Sequence, residues 1–212
     1  MDANKKKNII LVGNSVELLQ YDFGKYIDSF DTVVRFGRGV PTEDNSHAIG
    51  KKTDMWITGF LRMGSYHCFP GAEILFNRCR IHLDLIPKKT IPFNNYTDMF
   101  SDEELIKIFN KMGAEIGVAE GQRPSAGFLG ILYFLQKCEY NSLTIIGFDF
   151  FAKKLPINTG MDYPSSWHMP INSISKTPHN AKEKQIVSKW QSEGKLNWKI
   201  LSDLKEELLK FT

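Results

Sequence analysis

What most constrains the fold of this chain is a recurring event. A short apolar run, rich in β-branched or aromatic residues, reaches glycine or a charged residue and gives way to a loop or a helical pattern. It occurs at residues 8–13 (NIILVG), 31–36 (DTVVRF), 53–60 (TDMWITGF), 72–78 (AEILFNR) and 142–151 (SLTIIGFDFF). Runs this short and this continuously apolar read as strands buried on both faces, as in a parallel sheet. Between them lie helical patterns. Ser15 can cap a helix over NSVELLQYDFGKYIDSF, with Leu18, Leu19, Phe23 and Tyr26 near helical spacing. DEELIKIFNKMG (102–113) is amphipathic with a glycine stop, and RPSAGFLGILYFLQKC (123–138) suits a buried helix starting near Ser125 or Ala126. HNAKEKQIVSKWQSEG (179–194) is a further helix, WKILSD a last strand and LKEELLKF a terminal helix. The alternation predicts an α/β fold: one domain over 1–212, with a Rossmann-like, mostly parallel, doubly wound sheet and helices on both faces. Residues 84–100 and 152–178 read as long loops, and loops of that length are more often functional than spacers. The segment 152–178 is expected to be a mobile active-site loop, and 1–7 a flexible tail.

The formal net charge of +3 on 212 residues is too small to indicate a nucleic-acid partner. The run Lys5-Lys6-Lys7 reads as a solvated tail. The three cysteines, Cys68, Cys79 and Cys138, are odd in number and fit no zinc spacing. They are expected to be reduced thiols of a cytoplasmic protein. Polar and basic residues after Met1 do not resemble a signal peptide. The longest apolar stretch, near 126–135, is about half of the ~20 residues that span a bilayer. There is no Asp-x-Asp pattern and no His/Cys cluster, so no metal and no cofactor are expected.

Doubly wound sheets bind ligands beyond the carboxyl ends of their strands. Gly13-Asn14-Ser15, the stretch VVRFGRG (33–39) with Arg35, Gly37 and Arg38, and Asp149 all fall there. VGNS is a strand, a tight turn and a helix start, which suits an anion. An ordinary capped turn accounts for it equally well, since neither a Walker A loop nor a three-glycine fingerprint is present. In RPSAGF, Ser125 offers a hydroxyl, Gly127 permits close backbone approach, and helix-start amides point outward. That is a phosphate site or a plain serine-capped helix. His179 at a helix start shares a face with Glu183. The positive helix end would keep the imidazole neutral and competent as a base, while the bland reading is a surface pair. His168, beside Trp167 in the long loop, is a second candidate, and His47, His67 and His82 have no partner pattern.

Together these motifs resemble those of the sialyltransferases of glycosyltransferase family 29 and, more weakly, those of the bacterial sialyltransferase family 42. The large motif of the first family runs from an apolar strand through Gly-Asn-Ser, a helix, Ile-Asp-Ser-His-Asp, a strand and Arg-x-Asn-Arg to Gly-x-Lys-Thr. This chain has ILVGNSVELL (10–19), YIDSFDTVVRFGRG (26–39) and IGKKTD (49–54). The small motif, Pro-Ser-Thr-Gly-Phe-Leu followed by an apolar helix and a strand ending in Gly-Phe, appears as RPSAGFLGILYFLQKCEYNSLTIIGFDFF (123–151). The very small motif, His with Glu about four residues on, fits His179 and Glu183. The likeness runs from about residue 8 to 190, and order and spacing carry it.

The resemblance implies a metal-independent, GT-A-like variant of the fold and an inverting transfer of sialic acid from a CMP-linked donor to a glycan hydroxyl. On it, Gly13, Asn14 and Ser15 lie near the donor nucleotide. Ser125, Ala126 and Gly127, with Phe128, hold its phosphate or ribose, and Arg35, Gly37 and Asp149 complete the donor rim; Arg35 and Arg38 match arginines of the family that serve structure as readily as ligand. His179 is the base, Glu183 supports it or its helix, and Tyr163 and His168 are candidates to contact the phosphate. The implied partners are a nucleotide-sugar donor and a glycan acceptor; a lipid-linked acceptor would bring the enzyme to the inner face of the membrane. Three positions depart from the pattern. Gly37 replaces asparagine, Ala126 replaces Thr or Ser, and Ile9 replaces the cysteine that pairs with the one at Cys138, so no disulfide is expected. The first two leave open another CMP-linked ulosonic acid, such as Kdo. Two rivals remain: a nucleotide-binding module without catalysis, and a hydrolase on another α/β fold. The hydrolase ranks lowest because no nucleophile sits on a recognisable elbow.

Overall fold

The structure, a computed structural model, describes residues 6–37, 39–58, 71–76, 96–116, 124–150 and 179–204. Within them, the side chains of 112–116, 179–181, 202 and 203 are not described. Arg38, Cys68, Cys79, His67, His82, Tyr163, His168, the segment 152–178 and the expected terminal helix beyond 204 lie outside the described residues.

β1 (Asn8–Val12), β2 (Thr32–Phe36), β3 (Met55–Thr58), β4 (Glu73–Phe76), β5 (Thr97–Asp98), β6 (Ser142–Ile146) and β7 (Asn197–Lys199) form one seven-stranded sheet. Its order is β5-β4-β3-β2-β1-β6-β7, and every described pairing is parallel. The chain winds outward from β1 to β5, then returns to place β6 on the other side of β1. The topological switch point therefore lies between β1 and β6, where a doubly wound sheet opens a crevice.

Strand alternation sends successive side chains to opposite faces. On one face Ile9, Leu11, Val34, Phe36, Ile57, Leu75, Leu143 and Ile145 are buried. They pack with α3 (Asp102–Ile116), α4 (Ala126–Lys137) and α5 (His179–Ser192) through Leu105, Phe128, Phe134 and Val187. On the other face Ile10, Val12, Val33 and Ile146 pack with Leu18, Phe23, Ile27 and Ile49. These come from a 3-10 helix (Val16–Gln20), from α1 (Gly24–Asp28) and the Phe23 that precedes it, and from α2 (Ser46–Ile49). A 3-10 turn (Leu201–Leu204) adds Leu201 and Leu204. Full burial of such side chains stabilises by roughly 1.5–3 kcal/mol each.

Several expectations are corrected. The helix expected to follow Ser15 is two short pieces separated by an extended Tyr21 (φ −140°, ψ 157°). The break lets both Leu18 and Phe23 reach the core, which a continuous helix would turn apart, and it leaves Leu19 41% exposed. Thr97–Asp98, inside the expected loop 84–100, pairs with β4 as an edge strand. α3 runs past the expected stop at Gly113 to Ile116. The strand beginning at 142 ends at Ile146, because Gly147 turns away at φ +71°. WKILSD yields strand only up to Lys199, and a 3-10 turn follows.

Candidate functional site

The carboxyl ends of β1 and β6 are knitted by two backbone bonds, Gly13 N–H to the Ile146 carbonyl (2.8 Å) and Ser15 N–H to the Gly147 carbonyl (3.1 Å). A Cβ on Gly13 would lie 2.3 Å from the Gly147 oxygen, so the glycine is required by this approach. Ser15 is buried; its hydroxyl accepts from Glu17 N–H (3.4 Å) and donates to Asp149 Oδ2 (3.5 Å). It thus caps the 3-10 helix and ties Asp149 to the β1 turn. Asn14 donates from Nδ2 to the Phe36 carbonyl (3.0 Å), which joins the ends of β1 and β2. Its Oδ1 is buried with no partner among the described residues. Gly37 turns at φ +49°, and a Cβ there would meet nothing within 4 Å. Asn14, Ser15, Gly37 and Asp149 are therefore brought to one rim.

The helical side of the rim is built around Ser125. It caps α4, its hydroxyl accepting from Phe128 N–H at 3.1 Å. Glu183 of α5 accepts from both Ser125 N–H (2.8 Å) and the Ser125 hydroxyl (2.7 Å). Glu183 is 0% exposed, and that burial raises its carboxyl from 4.5 to about 7, against the lowering effect of the two Ser125 bonds. Ala126 and Gly127 N–H remain without an acceptor among the described residues, the ordinary state of a helix's first turn. His179 is the first residue of α5, one turn before Glu183. A chain of close contacts places this corner beside the β1–β6 crevice. The Phe148 ring lies 3.0 Å from a Cβ built on Gly13 and 2.8 Å from one built on Gly127.

Of the two roles open to Arg35, structure or ligand, its surroundings fit the first. It is 1% exposed on the α1–α2 face, not on the rim. Nε donates to the Lys52 carbonyl (3.0 Å) and Thr53 Oγ1 (2.9 Å), and Nη2 to the Ile49 (2.8 Å) and Lys52 (2.9 Å) carbonyls. Burial lowers its pKa to about 10, partly offset by Asp28 and Asp54. Asp28 accepts from Lys51 and Lys52 N–H, and Lys52 Nζ donates to the Phe30 (2.6 Å) and Asp31 (2.9 Å) carbonyls. Asp54 accepts from Val33 N–H at 2.7 Å. Much of the large motif is thus a structural knot that ties IGKKTD to β2.

Sequence reading missed an aromatic row. Phe36 meets Phe148 edge-on (5.4 Å), Phe148 lies near Phe150 (6.4 Å), and Phe150 meets Trp198 (5.2 Å). Phe150 has φ 51°, a left-handed conformation rare for an aromatic residue. The run GFDFF signals it, its rings lying past the strand end at Ile146. Cys138 is a free thiol packed against the cluster that contains Ile9.

A family model described as glycosyltransferase family 29 (sialyltransferase) matches residues 1–60. No curated protein matches the chain by sequence. Solved structures share its fold. A mammalian sialyltransferase in complex with Gal-beta-1-3GalNAc-ortho-nitrophenol is 16% identical with a TM-score of 0.54, over 92% of this chain and 69% of that one. The sialyltransferase CST-II, as a point variant in complex with CMP, is 12% identical with a TM-score of 0.58, over 91% of this chain and 80% of that one. The same protein with a trisaccharide acceptor and CMP is 15% identical with a TM-score of 0.56, over 91% and 80%.

Proposed function

We propose that this chain is a CMP-sugar-dependent glycosyltransferase, transferring sialic acid to a glycan hydroxyl by inverting displacement without a metal. The match to the family 29 model and the fold shared with sialyltransferases support the reading. The observation that carries it is the Glu183–Ser125 tie, which holds the start of α5, and so His179, against the start of α4 at the β1–β6 crevice.

In this reading the His179 imidazole takes the proton of the acceptor hydroxyl. The oxygen bonds to the anomeric carbon as the bond to CMP breaks, and CMP leaves with the electron pair. Ala126 and Gly127 N–H face the developing phosphate charge. Asn14 lies beside the nucleotide, tied through Nδ2 to the Phe36 carbonyl, and Asp149 is held in place by Ser15. Glu183 is a positioning residue, and retaining its proton up to about pH 7 limits negative charge behind the phosphate. Gly37 and Ala126 favour testing Kdo beside sialic acid as the donor sugar. The reading takes the enzyme as cytoplasmic, reaching the inner membrane face only through a lipid-linked acceptor. Among the described residues no helix is long and apolar enough to cross a membrane.

The test is CMP release from CMP-sialic acid with Gal-β-1-3GalNAc as acceptor, with and without chelator. Release is expected to depend on acceptor, to ignore chelator, and to fall at least ~10²-fold in His179→Ala. Full activity in that variant would remove the assigned base. One observation favours a second reading, a CMP-binding module without catalysis: Glu183 already occupies the amide and hydroxyl of Ser125, leaving a phosphate fewer donors. Binding of CMP with no turnover of either donor would select it.

A further inference from the structure

The opposite end of the sheet carries a groove of about 410 Å³, on the face that bears α1. Asn8, Ser142 and Thr144 line it, with Asn197 and Lys199 of β7 and with Tyr26, Ser29 and Phe30 of α1 and its exit. Strand register makes the polar side continuous, because Asn8 pairs with Ser142 and Thr144 with Asn197. The same face is apolar further along β1 and β6, where Ile10 and Ile146 are 0% exposed. On the opposite face Ile9, Leu143 and Ile145 join the core. A helix packed on this part of the sheet would need apolar partners. Polar side chains here, with Thr144 only 3% exposed, fit a polar occupant instead.

The groups present define its chemistry. Asn8 Oδ1 accepts from Asn141 Nδ2 (2.9 Å) and Ser142 Oγ (2.8 Å), which leaves its Nδ2 donors without a partner among the described residues. Tyr26 and Phe30 form an edge-to-face pair at 5.3 Å, and both are part-exposed. Among the described residues no carboxylate lines the groove, and Lys199 is the charged residue that does. Carboxamides and hydroxyls supply donors and acceptors at short range, and the ring edges supply apolar surface, as in sites that orient a ligand by a few polar groups. We infer that this groove is a second binding site for a saccharide, separate from the rim by the length of the strands. The choice of saccharide rests on the glycosyl-transfer reading: a transferase acting on an extended glycan gains affinity by holding it away from the reacting end.

The test is backbone-amide NMR of the full chain titrated with Gal-β-1-3GalNAc in the absence of donor. Saturable shifts are expected at Asn8, Ser142 and Asn197. Asn197→Ala should weaken them about fivefold, the loss of one hydrogen bond, while His179→Ala leaves them unchanged. The inference is overturned if those amides do not shift, if shifts are confined to the rim, or if Asn197→Ala has no effect. CMP added separately should shift Asn14 and Gly37. A chain that responds to CMP but not at the groove loses only this inference, whereas groove shifts without a CMP response count against the transfer reading alone.

Discussion

Glu183 has no exposed surface, and both of its oxygens are held by one serine. Burial raises its carboxyl from 4.5 to about 7, so the native state binds a proton that the unfolded chain has already lost between those values. The resulting stability is fully present below about pH 4.5 and is lost as pH rises through about 7. The thermal midpoint should therefore fall across that window, and Glu183→Gln should flatten the fall. Glu183→Ala strands a buried N–H and leaves a cavity, and should cost about 2–4 kcal/mol in denaturant unfolding. Arg35 makes a matching case on the other face. Lysine cannot serve the carbonyls of Ile49 and Lys52 with the geometry of a guanidinium, so Arg35→Lys should cost about 2–3 kcal/mol while leaving CMP affinity within about twofold. A large loss of CMP affinity at unchanged stability would return Arg35 to the donor site. Gly37 is the contrasting residue: with φ +49° and open space at its Cβ, Gly37→Asn should fold within about 1 kcal/mol of the parent. The sequence alone could not separate Arg35 from Gly37. All five positions of β2 are buried, so no alternation betrays which face Arg35 takes.

At the scale of elements, β1, β2, β3, β4 and β6 were legible because parallel central strands are continuous apolar runs. β5 was not, since Thr97–Asp98 is two polar residues whose strand character comes only from pairing with β4. The helix expected to follow Ser15 failed for the opposite reason: its pattern counted Leu19 as a core residue, and packing chose Leu18 and Phe23. The cap at Ser15 and the start of α4 were legible from local hydrogen-bonding chemistry, whereas the carboxylate that grips Ser125 comes from 58 residues away. The crevice itself depends on β1 and β6 touching through glycine. Gly13→Ala drives a Cβ to 2.3 Å from a backbone oxygen, which cannot move without breaking the β1–β6 ladder. It should destabilise by about 3 kcal/mol or more in denaturant unfolding, and unchanged stability would mean that the two strand ends are not in contact.

For the whole molecule, the sheet order puts one crevice at the β1–β6 switch point, and Asn14, Ser15, Asp149, the start of α4 and the start of α5 gather around it. The order of motifs foretold that gathering. It left open whether Arg35 serves the fold or the ligand, and it did not foretell that the opposite end of the sheet bears a polar groove, because both depend on which face each strand position takes. The central claim is that the crevice takes CMP. It is tested most directly by thermal shift of the full chain with CMP, CDP, UDP and GDP in parallel. Stabilisation by CMP, weakened by Ser125→Ala and absent with UDP and GDP, is the predicted result; a preference for UDP or GDP, or no response to any of the four, would contradict it.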